Sequence, residues 1–196
     1  MASTRSAITR SASPRRAQLL AAAARLFAER GFHGVSIEDL GAAAGVSGPA
    51  VYRHFASKDA VLAEMLVGIS EHLLAGGRAV RAAGDPAGEL DALLAFHLDF
   101  ALGASRDLIR VQDRDLANLS PEERRRVRRL QRAYVEVWVA AFLAHRPGTT
   151  AAEARLRVQA VIGMLNSTPH SAGRDLVLAR RVLTELARAA LRTTPG

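Results

Sequence analysis

Apolar residues recur at the three-and-four spacing of an α-helix from Leu19 to Leu186, and nowhere do they alternate with polar ones over the length of a strand. That feature restricts the chain to an all-α fold, because a helix hides its apolar stripe most readily against another helix. Start and stop signals punctuate the pattern. Ser13-Pro14 joins an N-cap to the proline that a first helical turn tolerates, and Gly31 offers a left-handed stop after the face Leu19, Leu20, Ala23, Leu26, Phe27. Ser36 caps a second helix, with Asp39 completing a near capping box and Ile37, Leu40 and Ala44 facing inward. Gly45 makes a tight turn, and Ser47 caps a third helix running to about His54. Ser57 caps a fourth, which starts at Lys58-Asp59 and runs past Leu74 toward Gly76-Gly77.

Five more helices follow. Asp85-Pro86 opens one to about Leu102, and a shorter one spans about Arg106 to Leu116. Ser120-Pro121-Glu122-Glu123 begins a long one carrying Val127, Leu130, Tyr134, Val137, Trp138 and Ala141, which Pro147-Gly148 stops. Thr150 and Glu153 form a capping box before Leu156, Val158, Val161, Ile162 and Leu165. The last carries Leu176, Ala179, Val182, Leu183 and Leu186 and ends near Arg192. The expectation is nine helices: a basic arm over 1–12, a three-helix unit over 13–56, and a larger helical body over 57–196.

Composition narrows the chemistry. Cysteine is absent, which removes disulfides, thiolate metal sites and thiol nucleophiles. The longest near-apolar run, Val137 to Ala144, falls far short of the ~20 residues a membrane span needs, and the N-terminus lacks the apolar stretch of a signal peptide. The net charge of +8 is uneven. Residues 1–58 hold eight basic groups against three acidic ones, and the rest of the chain nineteen against sixteen. A basic end on a nearly balanced body suits a polyanionic partner. No nucleophile elbow, phosphate loop or paired-carboxylate arrangement is present, so no enzyme, cofactor or metal centre is expected. His97 and Asp99, with His72 elsewhere, lack ligand spacing.

Three short helices with a glycine turn between the second and third make a helix-turn-helix. The third opens on small residues, Gly48, Pro49 and Ala50, which lets its backbone approach base edges in a major groove. From Arg15 to Leu66 the chain resembles the N-terminal domain of the TetR/AcrR repressor family. The residues carrying the resemblance are Leu26-Phe27-Ala28-Glu29-Arg30-Gly31-Phe32, Ser36-Ile37-Glu38-Asp39-Leu40, Ala44-Gly45-Val46-Ser47 and Val51 to Leu62. Pro49 departs from the small residue, often glycine, usual at its position, and removes one N–H from the contact surface. The resemblance implies that Ser36 and Lys58 meet phosphate, and that Ser47, Gly48, Pro49 and Ala50 face the groove. Tyr52 and His54 would touch phosphate or sugar, and Arg53 a base edge or the backbone. Arg5, Arg10, Arg15 and Arg16 would add arm contacts. Val51 and Phe55 are expected inside. Tyr52 also reads as a core ring with only its hydroxyl outside.

The resemblance further implies a homodimer, joined through about Thr150 to Ser167 and Arg174 to Arg192, reading a palindromic operator, and the absence of cysteine fits a reducing cytoplasm. A small molecule in the body would release it, making repression the default. Phe96, Phe100, Tyr134, Trp138 and Phe142 are pocket lining or plain core, and the polar run Asn166-Ser167-Thr168 is a ligand contact or a helix end. More loosely, Val111 to Leu116, Tyr134 to Val139 and Leu165 to Ser171 resemble actinobacterial family members tied to acyl-CoA metabolism. This suggests an acyl-CoA effector whose phosphates meet Arg110 or Arg114. The arginine run Arg124 to Arg129 reads as a solvated face rather than the alternative, a second DNA surface, with Glu122 pairing Arg126.

Overall fold

The computed structural model describes residues 14–84, 88–103, 105–173 and 175–192. Among them every regular element is helical. The helices are α1 Pro14–Arg30, α2 Ile37–Ala43, α3 Gly48–Val51, α4 Lys58–Ala82, α5 Glu89–Leu102, α6 Arg106–Asp115, α7 Pro121–His145, α8 Ala151–Asn166, α9 Thr168–Ser171 and α10 Leu176–Arg192. A 3₁₀ turn, Leu116–Asn118, follows α6. Nine of the ten helices are those read from the sequence, and α9 is a single added turn. The signals at Ser13, Asp85 and Pro86, and the arm with Arg5 and Arg10, lie outside the described residues.

The chain forms two compact units, 1–72 with 107–129, and 73–106 with 130–196. The first packs Leu19, Leu20, Ala23 and Phe27 of α1 with Phe32, Val35, Leu40, Val51 and Phe55, and takes in Leu62, Met65 and Leu66 of α4 and Ile109 and Val111 of α6. The second is built on Leu93, Leu94 and Leu98 of α5, Tyr134, Trp138 and Phe142 of α7, Val158, Val161 and Leu165 of α8, and Leu183 and Ala187 of α10.

Local chemistry explains three of the helix starts. Ser36 forms a full capping box, accepting from the Asp39 N–H at 3.0 Å while the Asp39 carboxylate accepts from the Ser36 N–H at 2.8 Å. These bonds hold the Asp39 carboxyl below its ordinary range, the backbone donor contributing most. Ser120 and Glu123 cap α7 in the same way. Thr150 caps α8 by accepting from the Glu153 N–H, but the Glu153 carboxylate turns to Arg157 at 2.8 Å, so only half of that expected box forms.

Other expectations are corrected. The third helix ends at Val51, and Tyr52 to His54 continue only as a turn. Ser47 precedes it without a side-chain cap. Pro49 occupies the second helical position and has no N–H, and the Ala50 N–H is already bonded to the Ser47 carbonyl at 3.0 Å. The fourth helix does not stop at Gly76-Gly77 but runs on to Ala82. A Cβ at Gly76 would stand 2.0 Å from the Phe96 ring, and one at Gly77 2.8 Å from the Tyr134 ring. Packing of rings against bare backbone thus outweighs the ~1 kcal/mol of helix propensity each glycine costs. By length and composition α4 could cross a membrane, yet 56% of its most apolar window is buried inside the protein, as in a core helix. Arg126 pairs with Glu71 at 2.7 Å rather than with Glu122.

Candidate nucleic-acid interface and buried polar cluster

In the first unit, α2 and α3 are pressed together by a residue the sequence reading passed over. Gly41 is buried, and a Cβ there would meet the Val46 carbonyl oxygen at 2.8 Å and Ser47 carbonyl carbon at 3.0 Å. Gly45 holds the turn at a φ of +69°, where other residues are strained. The Val46 N–H closes it on the Gly41 carbonyl at 2.8 Å. Ala44, expected inside, is only half-buried.

This packing sorts the α3 region into two faces. Val51 and Phe55 are buried beneath. Ser47, Pro49, Tyr52 and Arg53 are exposed above, with Gly48, Ala50 and His54 half-buried between them, and Ser36 is exposed at the start of α2. Tyr52, at 55% exposure, is a surface ring and not a core one.

Cations brace this face from the side. Arg16 belongs to α1, not to a free arm. Its guanidinium grips both oxygens of Glu64, donates to the His54 carbonyl and lies 4.2 Å over the Phe55 ring. The Glu64 bond raises its already high pKa. Arg15 donates to Gln18 at 2.9 Å and to the Ala44 carbonyl at 3.2 Å. Lys58, the chain's one lysine, donates to the carbonyls of Phe32 and Val35 at 2.8 and 2.7 Å, with the Phe32 ring 4.4 Å away. Two of its three N–H groups are therefore spent inside the unit. Arg114, suggested above as a phosphate ligand, instead donates to the Phe27 carbonyl at the end of α1 and to buried Asp115 at 3.0 Å. That is a favourable place for a cation, since helix C-termini carry partial negative charge. The sequence reading missed the pairing of Arg16 with Glu64 and of Arg114 with the Phe27 carbonyl, partners 48 and 87 residues apart.

The second unit gathers part of the proposed effector set. Phe100, Tyr134 and Trp138 are buried, and Phe96 and Asn166 half-buried. Arg110 belongs to the first unit and is exposed. At the centre sits His97, 1% exposed, with Nδ1 3.1 Å from the Tyr134 hydroxyl and Nε2 3.0 Å from Asn166 Oδ1. Burial lowers its pKa to about 4, with the Asn166 bond opposing. Burial likewise raises that of Tyr134. Thr168 is spent as a tie, its hydroxyl donating to the Ala101 carbonyl at 2.9 Å. Asp99 is paired with Arg180 at 2.7 Å.

Residues 19–65 match the family described as bacterial regulatory proteins, tetR family, and residues 83–170 match the tetracyclin repressor-like C-terminal domain. The chain belongs to the TetR family. Over 113 residues this TetR-family chain is 34% identical to the transcriptional repressor KstR2 of Rhodococcus jostii, covering 57% of this chain and 55% of that protein. Over 87 residues it is 37% identical to the transcriptional activator FasR of Mycolicibacterium smegmatis, covering 44% and 40%. The match thus spans about half the length of these curated relatives. A TetR-family regulator from Bordetella parapertussis shares the fold with a TM-score of 0.82 at 26% identity, over 92% of this chain and 95% of that one.

Proposed function

We propose that this TetR-family chain is a cytoplasmic, homodimeric transcriptional repressor that leaves a palindromic operator when a small molecule binds its second unit. The observation that carries the reading is the two-faced α3 region. Small and polar groups stand outside on a short helix, over a rigid apolar base. Ser47, Gly48, Pro49, Ala50 and Arg53 are assigned to the groove, and Ser36, Tyr52, His54 and the remaining N–H of Lys58 to phosphate or sugar. The free Ser47 hydroxyl supports its place, because no cap competes for it.

Five of the six large apolar residues left exposed among the described residues lie on α8 and α10: Leu156, Val177, Leu178, Val182 and Leu186. A second copy of this face would cover them by two-fold symmetry, which also supplies the two recognition helices a palindrome requires. Repression is favoured because the longer match is to a repressor. The effector assigned is of the acyl-CoA class, its apolar part against Phe96, Phe100, Tyr134 and Trp138 of the second unit, with Asn166 beside them. Release is linkage: effector must favour the conformation that binds DNA poorly, and DNA then weakens effector equally.

Fluorescence anisotropy with the DNA upstream of the protein's own gene tests this. Binding that survives scrambled competitor and falls steeply with salt is the expected result. Equal binding to scrambled DNA refutes sequence-specific recognition of that region.

A further inference from the structure

In the core of the second unit His97, Tyr134, Trp138 and Asn166 come together as a neutral polar cluster among leucine, valine and aromatic carbon. Their donors and acceptors can be counted. Asn166 Oδ1 only accepts, so the proton of neutral His97 sits on Nε2. Nδ1 is then an acceptor, and the Tyr134 hydroxyl donates a hydrogen bond to it. Both ring nitrogens are used. The indole of Trp138 is different: it is 0% exposed, and its Nε1–H has no hydrogen-bond partner. The nearby Tyr134 oxygen feels that N–H, which partly offsets the rise in its pKa, but the two make no aligned bond. An indole nitrogen can only donate, and buried donors without an acceptor are rare because the group lost its water for nothing in return.

We propose that Trp138 Nε1 is the point at which the effector is read, donating to a neutral acceptor oxygen, the carbonyl of a ketone, ester or thioester, in the apolar part of the ligand. The inference rests on the effector-binding reading above and names the chemistry of that site. The His97–Tyr134–Asn166 chain holds the ring beside Trp138: the His97 and Trp138 ring centres are 6.1 Å apart, edge to face, and those of Tyr134 and Trp138 6.3 Å. The surroundings are uncharged. His97 stays neutral above about pH 4, and Tyr134 is held protonated by burial. Among the described residues of this unit the only buried carboxylate is Glu89, and Arg81 holds it at 2.5 Å. No free carboxylate is offered to an ammonium ligand there, and no cation to a carboxylate ligand.

Trp138 is the chain's only tryptophan, so the indole resonance in a ¹⁵N–¹H spectrum of the full chain belongs to it alone. The probes are 2-octanone, octane, octylammonium and octanoate. The expected result is a saturable downfield shift with 2-octanone, which binds about tenfold tighter than octane and than either charged probe. By calorimetry, Trp138→Phe should bring ketone and octane to within about twofold of each other. A circular-dichroism melt checks that this variant is folded, and the wild-type indole shift is independent of it. No saturable shift with the ketone, equal binding of octane, or a ketone preference that survives in Trp138→Phe overturns the proposal. Operator anisotropy is read separately. Specific DNA binding with a silent indole leaves the regulator standing and removes this proposal, whereas a responding indole without specific binding removes the operator reading alone.

Discussion

The two units spend their polar groups in opposite ways. In the first, charged side chains reach across the unit to backbone carbonyls: Arg16 to His54, Lys58 to Phe32 and Val35, Arg114 to Phe27. In the second, the central polar groups are neutral and bond to one another, from Tyr134 to His97 to Asn166. The difference fits the roles proposed for the two units. A surface that docks on a polyanion gains from fixed backbone geometry and cations at its edge. A core that admits a small molecule must keep charges out, because an unpaired buried charge costs far more than an unpaired dipole.

Four experiments press on that contrast. The largest effect belongs to the apolar surface of the second unit. Val182→Glu with Leu186→Glu should convert the dimer to monomer in sedimentation equilibrium. Operator affinity should fall on the order of a thousandfold, since two half-sites then bind separately. Monomeric protein with unchanged operator affinity would break the link between the units' roles.

Neutrality of the second core is tested by pH. His97 has a folded pKa of about 4 against an ordinary 6.5, so the unfolded chain binds more protons between those values. Its contribution is intact above pH 6.5 and is lost as pH falls toward 4, by on the order of 3 kcal/mol. Urea unfolding of the wild type minus that of His97→Gln should show this slope. A flat difference would mean that His97 is charged or solvated. Next, Gly76→Ala gains helix propensity but drives a methyl into the Phe96 ring. A net loss of about 2 kcal/mol in thermal unfolding is expected, and a gain would show that the ring yields. The smallest effect is at the proposed DNA face. Tyr52→Phe should cost about 1 kcal/mol of operator affinity with stability unchanged, because the ring is exposed and only a hydroxyl contact is removed.

Legibility also differed between the units. The Ser36–Asp39 cap spans three residues and the Gly45 turn is equally local, so the helix-turn-helix stood out in the sequence. Gly41 did not, since nothing local marks a glycine whose task is to let Val46 and Ser47 come close. Arg16 read as part of a basic arm because the carboxylate that claims it lies on α4. His97 raised only the thought of a metal, as Tyr134 and Asn166 are 37 and 69 residues away.

The sequence by itself determined the helical class, many of the helix starts and stops, and the resemblance of residues 15–66 to a DNA-reading domain. These are written in caps, glycines and apolar spacing, which act over one or two turns. Only the tertiary structure decided that α4 would run through Gly76-Gly77, that Arg16 and Arg114 would brace α1, and that the Trp138 N–H would be buried without an acceptor. Each of those depends on which distant side chain arrives at a given point, and packing sets that, not local preference.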